Sequence, residues 1–329
     1  MAYNPRSDTR KVQAQLRAAQ KTAVQGVAEL YAATQQRLNR NWAATRKDIA
    51  TRQQAGQKTG WAEMRVTVPT NTMLNTYAND LLQNIPATRA AVQAATQQAQ
   101  LAGEQHARSV LTKLGENPAA LWSTADHTPD LAELTRLQTV RAVTAVDRLT
   151  GKLAHYLDTD LVDSPVLARA FGEACRDPFA GAYTALRTEQ MATFRAATSD
   201  MFERSQSVDR WRWVARLDER TCAFCWAMHG EIFEANEILD SHSNCACVPE
   251  AYVEGAEFGP AGVDAFKQLP DADQERILGP AAKQALDDRQ FHLYQVVTKG
   301  PGTEAASLTD LLGADRAATY VQAAQRAAQ

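Results

Sequence analysis

The chain has 329 residues, 45% of them hydrophobic and 22% charged, with a formal net charge of −3. This composition is ordinary for globular proteins and leaves room for roughly two domains with a sizeable core. No stretch approaches the about 18 uninterrupted apolar residues that a membrane-spanning helix needs. The polar N-terminus, Met1 to Arg10, has no apolar h-region and is not read as a secretory signal.

Charge is unevenly spread. Residues 1–60 carry 11 Lys+Arg against 3 Asp+Glu, a local charge of +8, which leaves −11 on the remainder. A basic arm of this kind can meet DNA or an acidic protein surface, or can simply be a solvated helix face.

In chain order, residues 10–58 are rich in Ala, Gln, Arg and Leu and predict one long helix or two. Their apolar positions, Val24, Val27, Leu30 and Tyr31, form a weak stripe, so this segment is expected to order only against a partner. Gly60 to Pro69 is a break in which Met64, Val66 and Val68 alternate like a short strand. Thr70 or Asn71 is placed to cap a helix whose stripe is Leu74, Tyr77, Ala78, Leu81 and Ile85. Ile85-Pro86 should end or kink it. A further helix is expected over Ala87–Leu114, with Gly103 a light interruption, before the turn Gly115-Glu116-Asn117-Pro118.

Pro129 or Asp130 opens the next helix, which buries Leu131, Leu134, Val140, Val143, Val146, Leu149, Leu153 and Leu157. Ser164-Pro165 reads as an N-cap and first helical residue. A helix over Val166–Cys175, a turn at Asp177-Pro178 and a helix over Phe179–Phe202 follow. His106, His127 and His155 stand singly and read as surface or packed side chains. Beyond a Gly/Pro linker at Gly255–Gly262, short helices flank Pro270 with a break at Leu278-Gly279-Pro280. Leu293–Val297 is apolar, Lys299-Gly300-Pro301-Gly302 is loop, and an Ala-rich helix should run from about Ser307 to the end.

Between these helices lies the chemistry. Trp211 to Pro249 contains Cys222, Cys225, His229, His242, Cys245 and Cys247, preceded by the strand-like alternation Trp211-Arg212-Trp213-Val214-Ala215. Thiolate and imidazole ligands suit Zn²⁺ in a tetrahedral site. Cys-x-x-Cys places two sulfurs on one turn, and His242, Cys245 and Cys247 lie about twenty residues on, an ordinary gap for a structural site. Five candidates compete for four places. Cys222, Cys225, His242 and Cys247 are the preferred set, with Cys245 the substitute. Zinc as a structural cofactor is the leading reading, because a chain without a secretory signal matures under reducing conditions. Disulfides, or free thiols, are the alternatives. Cys175 lies apart and reads as a small buried side chain.

Catalytic readings are weaker. His229-Gly230-Glu231 with Cys-x-x-Cys resembles the two halves of a zinc deaminase site in the wrong order and on one turn. A metal-dependent nuclease lacks a clear second histidine or an Asp/Asn pair. There is no phosphate-binding Gly-rich loop and no Gly-x-Ser-x-Gly. Trp211 and Trp213 beside Arg210, Arg212 and Arg216 could stack on nucleic acid, but such alternation more often marks a strand with one face in the core.

Taken together, Arg187-Thr188-Glu189 on a helix, a Trp-bearing strand, Asp218-x-x-Thr221-Cys222-x-x-Cys225, Gly230, Phe233 and His242-x-Asn244-Cys245-x-Cys247 resemble the phage head-morphogenesis family, the Mu protein F-like minor head proteins. Phe266, Leu269, Gln274, Ile277-Leu278-Gly279 and Ser307-Leu308 extend the resemblance over about 180–312. Ser241, near a position where Pro is common, and Ala246, where Arg is common, depart from the pattern without touching ligand types. The resemblance implies a non-enzymatic virion protein made in the host cytoplasm. Its partners would be the portal protein and the major capsid protein. It would act in head assembly, and in DNA packaging or delivery. No fused toxin domain is expected.

The reading as a whole is a mostly α protein: a long helical N-terminal region followed by a small α+β C-terminal module stapled by the Cys/His cluster. Its expected division is a basic helical arm at 1–60, an α-helical domain at 61–200, a Mu F-like module at 201–312 and a helical tail at 313–329. DNA contact is expected, if anywhere, through residues 1–60. The alternative function is a metal-dependent nuclease or hydrolase acting on DNA, and a cellular zinc-binding adaptor is a third reading.

Overall fold

The computed structural model describes residues 5–125, 127–159, 165–239, 241–297 and 305–328. Three long helices dominate: α1 (Pro5–Gln54), α3 (Val68–Lys113) and α5 (Pro165–Glu203), with the short α2 (Trp61–Met64) and the 28-residue α4 (Leu131–Asp158) between them. Three short strands follow, β1 (Arg210–Val214), β2 (Ile232–Glu234) and β3 (Val248–Ala251), with α6 (Ala223–Met228) inserted between β1 and β2. The C-terminal helices are α7 (Gly262–Lys267), α8 (Asp271–Leu278), α9 (Pro280–Asp287), α10 (Leu308–Leu312) and α11 (Ala314–Ala327). The mostly α class with a small α+β region carrying the Cys/His cluster is as the sequence implies. No described helix is long and apolar enough to cross a membrane.

The chain folds as two compact units, each discontinuous in sequence. One is built from residues 19–96 and 128–189, the other from 1–18, 97–127 and 190–329. Among the described residues, the first has helices and no strand. Its core takes Val27, Tyr31 and Leu38 from α1, Met73, Tyr77 and Leu81 from α3, Leu149 and Leu153 from α4, and Phe171 from α5. α1 therefore orders against its own chain, contrary to the expectation from its weak stripe. Asp130 caps α4 by accepting the Glu133 amide at 2.8 Å, as its sequence position predicts.

Pro86, expected to end or kink a helix, does not end it, and Pro178, expected in a turn, lies inside one. α3 passes through Pro86 and α5 through Pro178. A proline inside a helix frees the carbonyl four residues before it, and the helix survives if that oxygen finds a donor. For Pro178 the orphaned oxygen is that of Ala174, and the buried Tyr77 hydroxyl donates to it at 2.7 Å. For Pro86 it is that of Leu82, a residue 44% exposed, where water can reach. The alternation Met64-Arg65-Val66-Thr67-Val68 forms no strand. It is the α2–α3 junction, with Met64 buried and Val66 and Val68 exposed. α3 is already helical at Val68, upstream of both expected caps. Ser164, the expected cap of α5, and the expected loop at 299–302 lie outside the described residues. The C-terminal helix is divided at Gly313, whose φ of +81° costs little without a Cβ.

The second unit contains the sheet, ordered β2-β1-β3 and antiparallel throughout. Trp211 faces Phe233 across β1–β2, and the rings stack at 4.5 Å. Both tryptophans of β1 are buried, Trp211 fully, so neither offers a surface for nucleic-acid bases. Met201, Phe202 and Val208 of the preceding segment pack with these rings, with Phe224 of α6, and with Cys225, Cys245 and Cys247. On the other face, Arg212 lies over the Phe258 ring at 5.1 Å, donates to the Gly259 carbonyl at 3.0 Å and is 3.9 Å from Glu250. Glu250 also accepts the Thr9 hydroxyl near the start of α1.

Tyr77→Phe should cost about 1–3 kcal/mol, the range for stranding a buried acceptor. Helix content should be unchanged, and the loss should appear as a lower midpoint in denaturant unfolding. An unaltered midpoint would mean that water satisfies the Ala174 oxygen.

Candidate metal centre

Two arms deliver the cysteine cluster. The first is the turn that starts α6. Asp218 accepts the Arg220 amide and the Thr221 hydroxyl at 3.1 Å each, while the Thr221 oxygen accepts the Asp218 amide at 3.0 Å. Arg216 pairs with the Asp218 carboxylate at 2.6 Å. This closed turn places Cys222 at the N-cap, where its sulfur accepts the Cys225 amide at 3.5 Å. One helical turn on, Cys225 points the same way. The far end of α6 is held against α7. The Gly262 amide donates to the His229 carbonyl at 2.7 Å, and a Cβ on Gly262 would lie 1.9 Å from the Trp226 oxygen.

The second arm is the tight turn His242-Ser243-Asn244-Cys245. It is closed by the Cys245 amide donating to the His242 carbonyl at 3.2 Å, with Asn244 at φ +64°. Asn tolerates that left-handed conformation better than most residues. The Cys247 amide then donates to the Cys245 sulfur at 3.4 Å. His242 Nδ1 lies 2.8 Å from the Ser243 carbonyl, which can only accept, so Nδ1 carries a proton and Nε2 faces the sulfurs.

The five predicted candidates converge. Nε2 of His242 is 3.0 Å from Cys222 Sγ and 3.3 Å from Cys225 Sγ, and Cys225 Sγ is 3.6 Å from Cys245 Sγ. The donors form two overlapping groups, Cys222–Cys225–His242 and Cys225–Cys245–Cys247, with Cys225 common to both. A tetrahedral ion with bonds of about 2.3 Å to sulfur sets its ligand atoms about 3.8 Å apart, and within each group the donor atoms lie close enough together to hold a metal ion. Their spacings do not fit a disulfide, which needs about 2.05 Å. All five cysteines are free.

Protonation follows the crowding. The Cys225 hydrogen bond, aided by His242 and opposed by burial, holds the Cys222 thiol down at about 5. The Cys222 partner raises His242 to about 9 against its own burial. Cys225, donating to its neighbours, is pushed up. Cys245 is lowered by hydrogen bonds from Cys225 and Cys247 and by the charge of Arg195, while burial raises Cys247. These shifts favour the thiolate at Cys222 and Cys245, the form in which cysteine binds metals.

His229 does not join the group. Its Nδ1 accepts the Ala215 amide at 3.0 Å, extending the hold on β1. The His-x-Glu pair is thus part of the sheet's support. Cys175 is buried in the helical unit, and its thiol is pushed up to about 12 by burial, as expected of a packing residue. Arg195 is a residue the sequence reading missed. It projects from α5 to the second arm, donating to the Cys247 carbonyl at 2.9 Å, the Cys245 carbonyl at 2.7 Å and the Ser241 hydroxyl at 2.6 Å. The available signal was an arginine on the apolar face formed by Met191, Phe194, Thr198 and Met201.

With metal removed, Cys222 is both the most accessible cysteine of the cluster and a thiolate above pH 5. Alkylation at pH 6 should label it before the other four, and its rate should fall as pH drops through about 5. Peptide mass mapping reads the order. Equal labelling across the cluster would contradict the geometry.

Residues 176–250 match the family model described as phage Mu protein F like protein. The match runs from α5 through β3 and contains all five candidate ligands. No curated protein and no solved structure matches the chain.

Proposed function

We propose, from the Mu protein F-like segment at residues 176–250, that this chain is a structural minor head protein of a tailed phage. It works in head assembly at the portal and is carried in the virion. The match carries this reading, since it brackets the cysteine centre together with the helix and sheet that hold it. In functional terms, residues 201–312 would serve as the assembly module, with 61–200 a helical support and 313–329 a tail. Residues 1–60 would be the partner-facing arm. The exposed Arg10, Lys11, Arg17, Arg40, Arg46 and Lys47 of α1 suit an acidic partner such as portal or capsid surface, or packaged DNA.

Within that role the cluster is a zinc staple. Cys222, Cys225, His242 and a sulfur of the Cys245–Cys247 arm would hold the ion, which would supply a cross-link rather than a reactive centre. Three observations support a structural rather than catalytic site. The ligand types are sulfur-rich, Cys225, Cys245 and Cys247 are buried, and the donors available exceed four, which leaves no ready place for a substrate water. A staple also suits a module whose sheet is only three short strands.

Protein prepared without chelator should contain one zinc per chain by elemental analysis. Stripping it should lower the unfolding midpoint of the sheet-bearing unit, which stays folded at room temperature, while that of the helical unit of residues 19–96 and 128–189 is unchanged. A metal-free preparation that is equally stable would remove the staple. Head assembly is tested separately. The full chain should co-sediment with portal-containing heads and should not cut DNA in the presence of Mg²⁺, Mn²⁺ or Zn²⁺. Metal-dependent cleavage lost in His242→Ala would favour the nuclease reading.

A further inference from the structure

We propose that Arg195 is the positioning residue of the metal centre, clamping the second ligand arm from α5 and supplying the cation that balances a thiolate-rich site. The proposal rests on the metal reading above and adds a residue outside the Cys/His motif. Three observations carry it.

The first is geometry. One guanidinium holds three acceptors, Ser241 Oγ, the Cys245 carbonyl and the Cys247 carbonyl, at 2.6, 2.7 and 2.9 Å. These span the whole arm from the residue before His242 to the last cysteine. Only arginine presents several donors in a fixed planar fork, so the contact sets the orientation of the arm as well as its distance. With the backbone oxygens of Cys245 and Cys247 both pinned, the directions in which the two sulfurs leave the chain are constrained.

The second is burial. Arg195 is 6% exposed, and all three acceptors are uncharged oxygens. A buried guanidinium with neutral partners is costly unless negative charge lies close by. The sulfurs of the same arm, as thiolates on a bound metal ion, would supply that charge. A cluster of neutral thiols would leave the arginine uncompensated. A metal bound by three or four thiolates carries a residual negative charge and would not.

The third is position. Arg195 lies between Phe194 and Thr198 on a face of α5 that is otherwise packed with Met191 and Met201. The helix face thus turns the charge inward, toward the second arm. Partners that orient and tune metal ligands in this way typically change affinity by about 10- to 100-fold when removed.

The test compares full-length wild type, Arg195→Gln, Arg195→Lys and Ser241→Ala by chelator competition for Zn²⁺ and by absorption of the Co²⁺-substituted protein. Arg195→Gln should weaken Zn²⁺ by about 10- to 100-fold and reduce the sulfur-to-cobalt charge-transfer intensity per bound ion as the second arm disengages. Arg195→Lys keeps the charge without the fork and should recover part of the affinity. Ser241→Ala removes one acceptor and should cost only a few-fold. Wild-type affinity and spectrum in Arg195→Gln would overturn the proposal and leave the metal reading standing. If Arg195→Gln does not fold, wild-type values in both Arg195→Lys and Ser241→Ala overturn it instead. Failure of wild type itself to take up Zn²⁺ or Co²⁺ would remove the metal reading, and the proposal with it.

Discussion

Thiolates repel one another, yet the sheet-bearing unit gathers four cysteines and an imidazole into a space where sulfur lies 3.6 Å from sulfur. Nothing in hydrophobic packing favours that arrangement. It is tolerable where hydrogen bonds, a neighbouring cation or a bound ion absorb the charge. Each of the surrounding elements is placed to meet this condition. The Cys225 and Cys247 amides donate to sulfur, His242 is held with Nε2 inward, and α5 turns a guanidinium toward the second arm. The three-stranded sheet matters chiefly as the frame that brings residues 222 and 247 to the same place.

That frame is itself unusual in what it buries. β1 keeps two tryptophans on one face and an arginine on the other, and both faces are covered. The aromatic face packs against the cysteines and fills the volume around them. The arginine face ties β1 to β3 through Glu250 and to the following loop through Gly259 and Phe258. A sheet this small has little apolar area of its own, so its stability comes from the elements packed on both sides of it.

The gathering of cysteines and His242 was legible because it depends on local spacing. Two cysteines three residues apart share a turn, and His242-x-x-Cys245-x-Cys247 is a second compact turn, whatever the rest of the chain does. The alternation around Trp211 and the cap at Asp130 are local in the same sense. What could not be read was compensation from a distance. Pro178 forbids one hydrogen bond, and nothing near it in sequence says that Tyr77, 97 residues upstream of Ala174, will supply the missing donor. The alternation at Met64–Val68 looked like a strand because the pattern was right, but among the described residues no strand neighbours it to pair with. Arg195 was hidden for the opposite reason. Its helix was plain, and its partners lie about fifty residues on.

The hydrogen bond from Thr9 to Glu250 crosses 241 residues of sequence. Val12 and Leu16 of the same helix end pack with Val214 of β1 and Val248 of β3. Synthesis runs from the N-terminus, so the first turns of α1 emerge long before the strand they pack against has been made. Until β3 is out, Val12 and Leu16 have Ala99, Met191 and Phe194 to pack against but lack Val248, and the second ligand arm is incomplete. The contact between this helix end and β3 is therefore a late, long-range step that is inherently slow and that ties the N-terminal residues to the fate of the cysteine region.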